Sequence, residues 1–335
     1  MKKPFDSYLE HVVKPENQSC FDGKRFYNLW HHQIPSKGRA ALLKWKLTQK
    51  KNFWPKHIAN TEIPQLPDNI ETDELYITFI NHSTELIQVQ GLNVLTDPLF
   101  SKRTSPVSWL GPKRVRAPGM ILKNLPPIDV VIISHNHYDH MDLPSLRALK
   151  HKDDPLFIVP LQNAYILNKV GITKIIELDW WQEHVINESN TIMAVPMQHW
   201  SQRTFSDINK SLWSGFSLTL GEIKILFAGD TGYGQHFKLI RDKIGKMDVS
   251  LLPIGAYEPR WFMKGSHLNP EEAVKAHIDL ESTLSIGMHF GTFQLSDEGY
   301  DDPVIHLQEA LKKHQICEEY FLAPTNGRTT YYKKN

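Results

Sequence analysis

Short apolar runs punctuate the chain from Leu75 onward, and most have the length and period of strands rather than helices. Leu75–Ile80, Glu85–Val89, Asn93–Thr96, Leu156–Val159 and Lys174–Leu178 carry this pattern, and turn-forming residues separate several of them. Thr191–Met197 alternates through Ile192, Ala194 and Pro196, while Ile223–Ala228 and Leu284–Met288 are further short runs. Val130, Val131, Ile132 and Ile133 form an uninterrupted β-branched stretch, the mark of a strand buried on both faces. Helical spacing appears at Leu161–Lys169, Pro270–Leu280 and Val304–His314. Asn269 before Pro270, with Glu271 and Glu272 in the first turn, combines a cap, a pre-set φ and favourable dipole charge at one helix start. This interleaving predicts an α/β fold with two mixed sheets packed together and flanked by helices. No internal repeat of fixed period is present, although such a sandwich can hold a structural duplication.

Residues 1–74 read differently. Ser36–Lys51 holds six basic residues and no acidic one and is predicted to be a basic amphipathic helix. Ala40, Leu43 and Leu47 fall on one face with Leu42 beside them, and Trp45, Phe53 and Trp54 are suited to a lipid interface. The competing reading packs that stripe on the sandwich and leaves the lysines in water. The expected division is therefore an N-terminal extension over 1–74, with residues 24–54 as its membrane-facing candidate, and a domain over 75–335.

The chemistry is concentrated after the Ile128–Ile133 run. S-H-N-H-Y-D-H-M-D at 134–142 puts His135, His137, Asp139 and His140 within six residues, on what should be a loop beyond a sheet's carboxyl end. Alternate residues of an extended segment point the same way, so His135 and His137 can share one metal, while Asp139 and His140 reach a second. Crowding three imidazoles and a carboxylate has no packing benefit, because each polar group would need a partner. Further donors are expected at other strand ends: His199 after Thr191–Met197, Asp230 in A-G-D-T-G, where Gly229 and Gly232 let the backbone bend, and His289 in M-H-F-G-T-F.

This order of donors resembles the metallo-β-lactamase superfamily. Longer words narrow the likeness to N-acylphosphatidylethanolamine-hydrolysing phospholipase D: L-T-D-P-L-F-S-K-R-T-S-P (95–106), G-P-K-R-V-R (111–116), L-P-P-I-D-V-V-I-I-S-H-N-H-Y-D-H (125–140), I-E-L-D-W-W (176–181), L-P-I-G-A-Y-E-P-R-W-F-M-K (252–264) and H-L-N-P-E-E-A-V (267–274). The similarity runs with short gaps from about Leu75 to Pro303. It implies an αββα sandwich over 75–335, two zinc ions per chain held by His135, His137, Asp139, His140, His199, Asp230 and His289, and hydrolysis of a phospholipid phosphodiester. Asp139 and Asp230 would be ligands able to accept a proton transiently. Asp97, in L-T-D-P, would orient a ligand imidazole by accepting its second N–H, and His267 would donate to the phosphate or leaving oxygen. Ser201, Gln202, Arg203 and Ser266 are the expected substrate contacts, Arg203 as a forked phosphate donor. Gln202 stands where the family has Lys, and Ser266 where the mammalian-type enzyme has Gln, so the same anionic lipid would be held less tightly. His277 matches a family histidine but reads better as a helix-packing residue, and His82 in N-H-S-T as structural support.

Composition narrows the alternatives. With 335 residues, 41% of them hydrophobic and 22% charged, and a formal net charge of +1, a sizeable core is available and no nucleic-acid partner is expected. Cys20 and Cys317 are too few for a disulfide framework. Neither a signal peptide nor a membrane span is expected, which points to a cytoplasmic protein, peripheral on the inner face of a membrane. An assembly larger than one chain would be a homodimer. A lactonase or small phosphodiesterase of the same superfamily is the rival reading, with a small polar pocket as its mark. A non-catalytic membrane-binding module is the third, and a complete donor set argues against it.

Overall fold

The structure is a computed structural model that describes residues 19–30, 39–50 and 52–334. Two seven-stranded sheets face each other. The first runs β16 (Thr329–Lys333), β3 (Glu74–Asn81), β4 (Thr84–Val89), β5 (Leu92–Thr96), β6 (Val130–Ile132), β7 (Leu156–Pro160), β8 (Ile175–Leu178). The second runs β15 (Phe321–Leu322), β14 (Leu284–Met288), β13 (Val249–Pro253), β12 (Ile223–Phe227), β11 (Gly215–Leu220), β10 (Asn190–Val195), β9 (Glu183–Asn187). Each sheet has three antiparallel joins at one end and three parallel joins at the other. That is the duplication which no sequence period displays, because it lives in strand order.

Alternation along each strand sorts side chains into layers. Val130 and Ile132 join the core between the sheets with Ile77, Phe79, Phe216 and Phe227, whereas Val131 and Ile133 point to a second core with Leu86, Leu146 and Phe157. A helix over Leu143–Asp153 contributes to that second core, so β6 is apolar throughout because both its faces are covered. Full burial of Ile132 alone is worth about 1.5–3 kcal/mol. The helix Pro270–Asp279 begins with a capping box: the Asn269 side chain accepts from Glu272 N at 2.8 Å and the Glu272 carboxylate takes the Asn269 N–H. Helices flank the sheets, and the sandwich has the αββα form expected from the sequence. The sequence pattern had singled out neither β11, the centre of the second sheet's antiparallel half, nor β16.

Residues 1–18, 31–38 and 51 lie outside the described residues, and with them part of the expected basic helix. Its described portion, Arg39–Thr48, is helical. Leu43 and Leu47 project outward, while the Trp45 ring packs on Phe262 at 4.7 Å and its Nε1 donates to Asp297. Upstream, the hairpin β1 (Cys20–Phe21) and β2 (Phe26–Tyr27) sets Phe26 into the core between the sheets.

One buried carboxyl carries a pH prediction. Glu85 on β4 has no exposed surface, and burial holds its pKa well above the usual value. A raised pKa means that the folded state keeps its proton while the unfolded state releases it. Stability should therefore fall as pH rises from the ordinary carboxyl range toward the folded pKa. Glu85→Gln is expected to remove that slope, so its urea midpoint should exceed the wild type's by more at pH 8 than at pH 5. An equal difference at both pH values would refute this.

Candidate dinuclear metal centre

Strands of both sheets release their loops toward one place. Beyond β6 comes the loop of His135, His137, Asp139 and His140; beyond β10, His199; beyond β12, Asp230; beyond β14, His289. Asp230 sits in the middle. Its Oδ2 lies 3.1 Å from His140 Nε2, 3.8 Å from His199 Nε2 and 3.9 Å from both His135 Nε2 and His267 Nδ1, and its Oδ1 lies 3.2 Å from His289 Nε2. Two groups flank it. His135, His137 and His199 converge on one side, with His82, Asp139, His140 and His289 on the other. His82 Nε2 is 3.2 Å from Asp139 Oδ2, within hydrogen-bond reach of that carboxylate.

Backbone geometry sets these positions. Gly229, just before Asp230, has φ +59°, and a Cβ there would lie 2.5 Å from Ser134 Cβ, so the A-G-D-T-G turn needs glycine to touch the histidine loop. Gly255, in the I-G-A-Y word, allows the His289 carbonyl to approach within 2.1 Å of where a Cβ would stand. His289 itself takes φ +60°, a conformation that costs a non-glycine residue energy. Its N–H donates to the His82 carbonyl, which fixes the bend.

The imidazoles are oriented from behind. Asp97 Oδ1 accepts from Ser134 N at 2.7 Å, and its Oδ2 accepts from Ser134 Oγ and His140 Nδ1, both at 2.6 Å. A carboxylate only accepts, so His140 donates from Nδ1 and turns Nε2 toward Asp139 and Asp230. His199 Nδ1 faces the Ser266 carbonyl at 2.9 Å, which fixes that ring in the same way. Burial pushes His137 down to about 4 and His199 to about 3, while burial and the neighbouring imidazoles push His135 well below its usual range. Burial opposes ionisation of Asp139 and Asp230, but the surrounding histidines outweigh it and hold both carboxyls well below the usual carboxylate range. Burial acts likewise on His140 and His289, where Asp230 and Asp139 win instead and raise both, His289 to about 9. His135, His137 and His199 are thus neutral beside ionised carboxylates, the donor state that a divalent cation requires, while His140 and His289 would release a proton on binding one.

The donor set fits metal ions on a further count. His137 Nε2, His140 Nε2, His289 Nε2 and Asp230 Oδ1 are buried without a hydrogen-bond partner. Buried polar atoms are costly unless something satisfies them, and here they lie in the two groups that flank Asp230.

Above the cluster opens a cleft of about 340 Å³, lined by Leu42, Trp45, Trp200, Ile208, Ala256, Phe262, Met263 and Leu295, with His137, Asp139, Asp230 and His267 at its polar end. Gln202 and Ser266 also line it. Arg203 and Ser201 are placed differently. Arg203 Nη1 donates to the carbonyls of Asn136 and Met141, each at 2.9 Å, and the guanidinium lies over the Tyr138 ring at 4.1 Å, so it grips the histidine loop from outside the cleft. Ser201 is fully buried and its hydroxyl donates to the Ser211 carbonyl. His277 packs inside the fold with Nδ1 2.9 Å from Ser285 Oγ. The sequence reading missed Trp200, although its neighbour His199 was marked, and the walls supplied by Leu42 and Phe262.

Fold and donors together define a metal-dependent hydrolase of metallo-β-lactamase architecture. Residues 92–290 match the family described as beta-lactamase superfamily domain. The chain is 39% identical, over 94% of its length and 93% of the relative's, to N-acyl-phosphatidylethanolamine-hydrolyzing phospholipase D 1 of Caenorhabditis elegans. It is 40% identical to the mitochondrial N-acyl-phosphatidylethanolamine-hydrolyzing phospholipase D of Saccharomyces cerevisiae over 79% of this chain and 58% of that longer protein. Among solved structures, a metallo hydrolase from the archaeon Ignicoccus hospitalis shares the fold at a TM-score of 0.60 and 20% identity, covering 78% of this chain and all of that one. The chain belongs to the β-lactamase superfamily and, within it, to the family of these phospholipase D relatives.

Proposed function

We propose that this protein hydrolyses the phosphodiester bond of N-acylphosphatidylethanolamine or a related phospholipid, with two zinc ions. His135, His137 and His199 would hold one ion, Asp139, His140 and His289 the other, and Asp230 would bridge them. The observation that carries the substrate reading is the largely apolar cleft ending on the His/Asp cluster. A diacyl or N-acyl chain buries apolar surface there while its phosphate meets the polar end. A lactonase would be expected to have a small polar pocket, which this is not, and the complete donor set disfavours a non-catalytic module.

When bound, the ions supply Lewis acidity and bring a water's pKa near neutrality. The chain's own groups do the rest. Asp139 and Asp230, both within the cluster, would accept a proton transiently. His267, at the cleft wall and 3.9 Å from Asp230, is placed to protonate the departing oxygen. Asp97 keeps the His140 proton on Nδ1. Trp200, Phe262 and Leu42 enclose the acyl chain and exclude water from it.

Leu43, Leu47 and Phe53 stand exposed on or near a helix carrying Arg39, Lys44 and Lys46 and no acid, which supports docking on an anionic bilayer. No helix among the described residues is long and apolar enough to cross a membrane, so the attachment proposed is peripheral.

The test is turnover by the purified, metal-quantified protein on N-acylphosphatidylethanolamine vesicles, beside a lactone and a simple aryl phosphodiester. Release of N-acylethanolamine, lost with chelator, supports the reading; lactone turnover without lipid turnover overturns it. Phe262→Ala should lower kcat/KM on the lipid by about tenfold, as expected for loss of buried aromatic contact, and leave the aryl phosphodiester within a factor of two. Equal losses on both would place Phe262 in the fold rather than in the acyl site.

A further inference from the structure

Past the end of β10 the chain leaves the sheet and carries His199 into the metal cluster. Its backbone groups there must find partners outside any ladder. Side chains supply them. Trp213 Nε1 donates to the Met197 carbonyl at 2.9 Å, and Gln198 N donates to Thr231 Oγ1 at 3.0 Å. His199 itself is held by Asn28: Asn28 Nδ2 donates to the His199 carbonyl at 2.9 Å, and His199 N donates to Asn28 Oδ1 at 3.0 Å. One carboxamide thus reproduces both bonds of a strand neighbour, at a residue 171 positions away in sequence and almost fully buried.

Asn28 is itself fixed. It follows the β1–β2 hairpin, whose Phe26 lies in the core and donates its N–H to the Asn209 carbonyl at 2.8 Å. Asn209 in turn accepts from Ser201 N through Oδ1 and donates its own N–H to the Ser201 carbonyl, which closes the segment just after His199. With the backbone held by Asn28 and the ring by the Ser266 carbonyl, His199 Nε2 has one place to point, 3.3 Å from His137 Nδ1 and 3.8 Å from Asp230 Oδ2.

We infer that Asn28 is a positioning residue that preorganises His199 for the metal, and that the N-terminal hairpin is therefore part of the metal centre. This rests on reading His199 as a ligand. Groups standing behind metal ligands typically change metal affinity by about 10–100-fold when removed, and Asn28 acts at the backbone of the ligand instead of its ring.

The experiment uses the full chain stripped with chelator and titrated with Zn2+ against a competing chelator, with melting of the metal-free protein measured in parallel. Asn28→Ala should weaken Zn2+ binding about tenfold or more. Asn28→Asp, which keeps the acceptor and shape but loses the Nδ2 donor, should fall between it and the wild type. Leu311→Ala, in the core on the helix Asp302–His314 and outside this network, serves as the structural comparison: it should lower the metal-free melting temperature, as Asn28→Ala does, yet bind Zn2+ within twofold of wild type. The inference is overturned if Asn28→Ala and Asn28→Asp bind as wild type, or if Leu311→Ala loses the same affinity for the same loss of melting temperature. Should Asn28→Ala not fold, Asn28→Asp decides. His199→Ala separates the two readings. Wild-type affinity in that variant removes the ligand assignment itself, whereas lost affinity there with none lost on changing Asn28 overturns the Asn28 role alone.

Discussion

Asp230→Asn is expected to lower turnover by on the order of a thousandfold while leaving the circular dichroism spectrum unchanged. The carboxylate lies between both donor groups, with Oδ2 facing His135, His140 and His199 and Oδ1 facing His289. An amide keeps its size but loses the negative charge and one acceptor, so the variant should bind fewer than two metals per chain by elemental analysis. Asp139→Asn, whose carboxylate faces His82, His140 and His289, should empty or distort one position and spare the other. Two tightly bound metals and full activity in either variant would sink the dinuclear mechanism.

Asp97→Ala is expected to produce the largest combined loss of stability and metal affinity. The residue is completely buried, and its two oxygens accept from Ser134 N, Ser134 Oγ and His140 Nδ1. Removing it strands three buried donors at once, each costing about 1–3 kcal/mol when left unsatisfied, and frees His140 to place its proton on the nitrogen that should face the metal. Urea unfolding should register a loss of about 3 kcal/mol or more, and metal affinity should drop about 10–100-fold. Asp97→Asn should recover much of the stability, because an amide oxygen still accepts, yet recover less of the affinity. If Asn restores both equally, the carboxylate's charge has no part in orienting His140.

Much of the centre was legible because it is local. Four donors in H-N-H-Y-D-H follow directly from a β-branched run, and the period of that run says which sheet end they leave. His199, Asp230 and His289 were legible for the same reason, each following its own apolar strand. The sandwich could be read from strand spacing. Its duplicated strand order could not, since the two halves share no sequence period.

Residues that act across long separations were not legible. Arg203 carries the chemistry of a phosphate donor, but its guanidinium grips the carbonyls of Asn136 and Met141, and residue type alone does not say which partner wins. Asn28 sits in F-Y-N-L-W with no periodic or capping signal, yet it supplies both bonds to the His199 backbone. The cleft likewise assembles Leu42 and Trp45 from the N-terminal helix with Trp200, Phe262 and Leu295 from distant segments. Sequence by itself determined many of the strands, the donors and their order, because periodicity and ligand spacing act over a few residues. Tertiary structure decided which backbone each polar side chain satisfies and which apolar walls close over the centre, because burial and hydrogen-bond pairing are settled only when segments far apart in the chain compete for the same space.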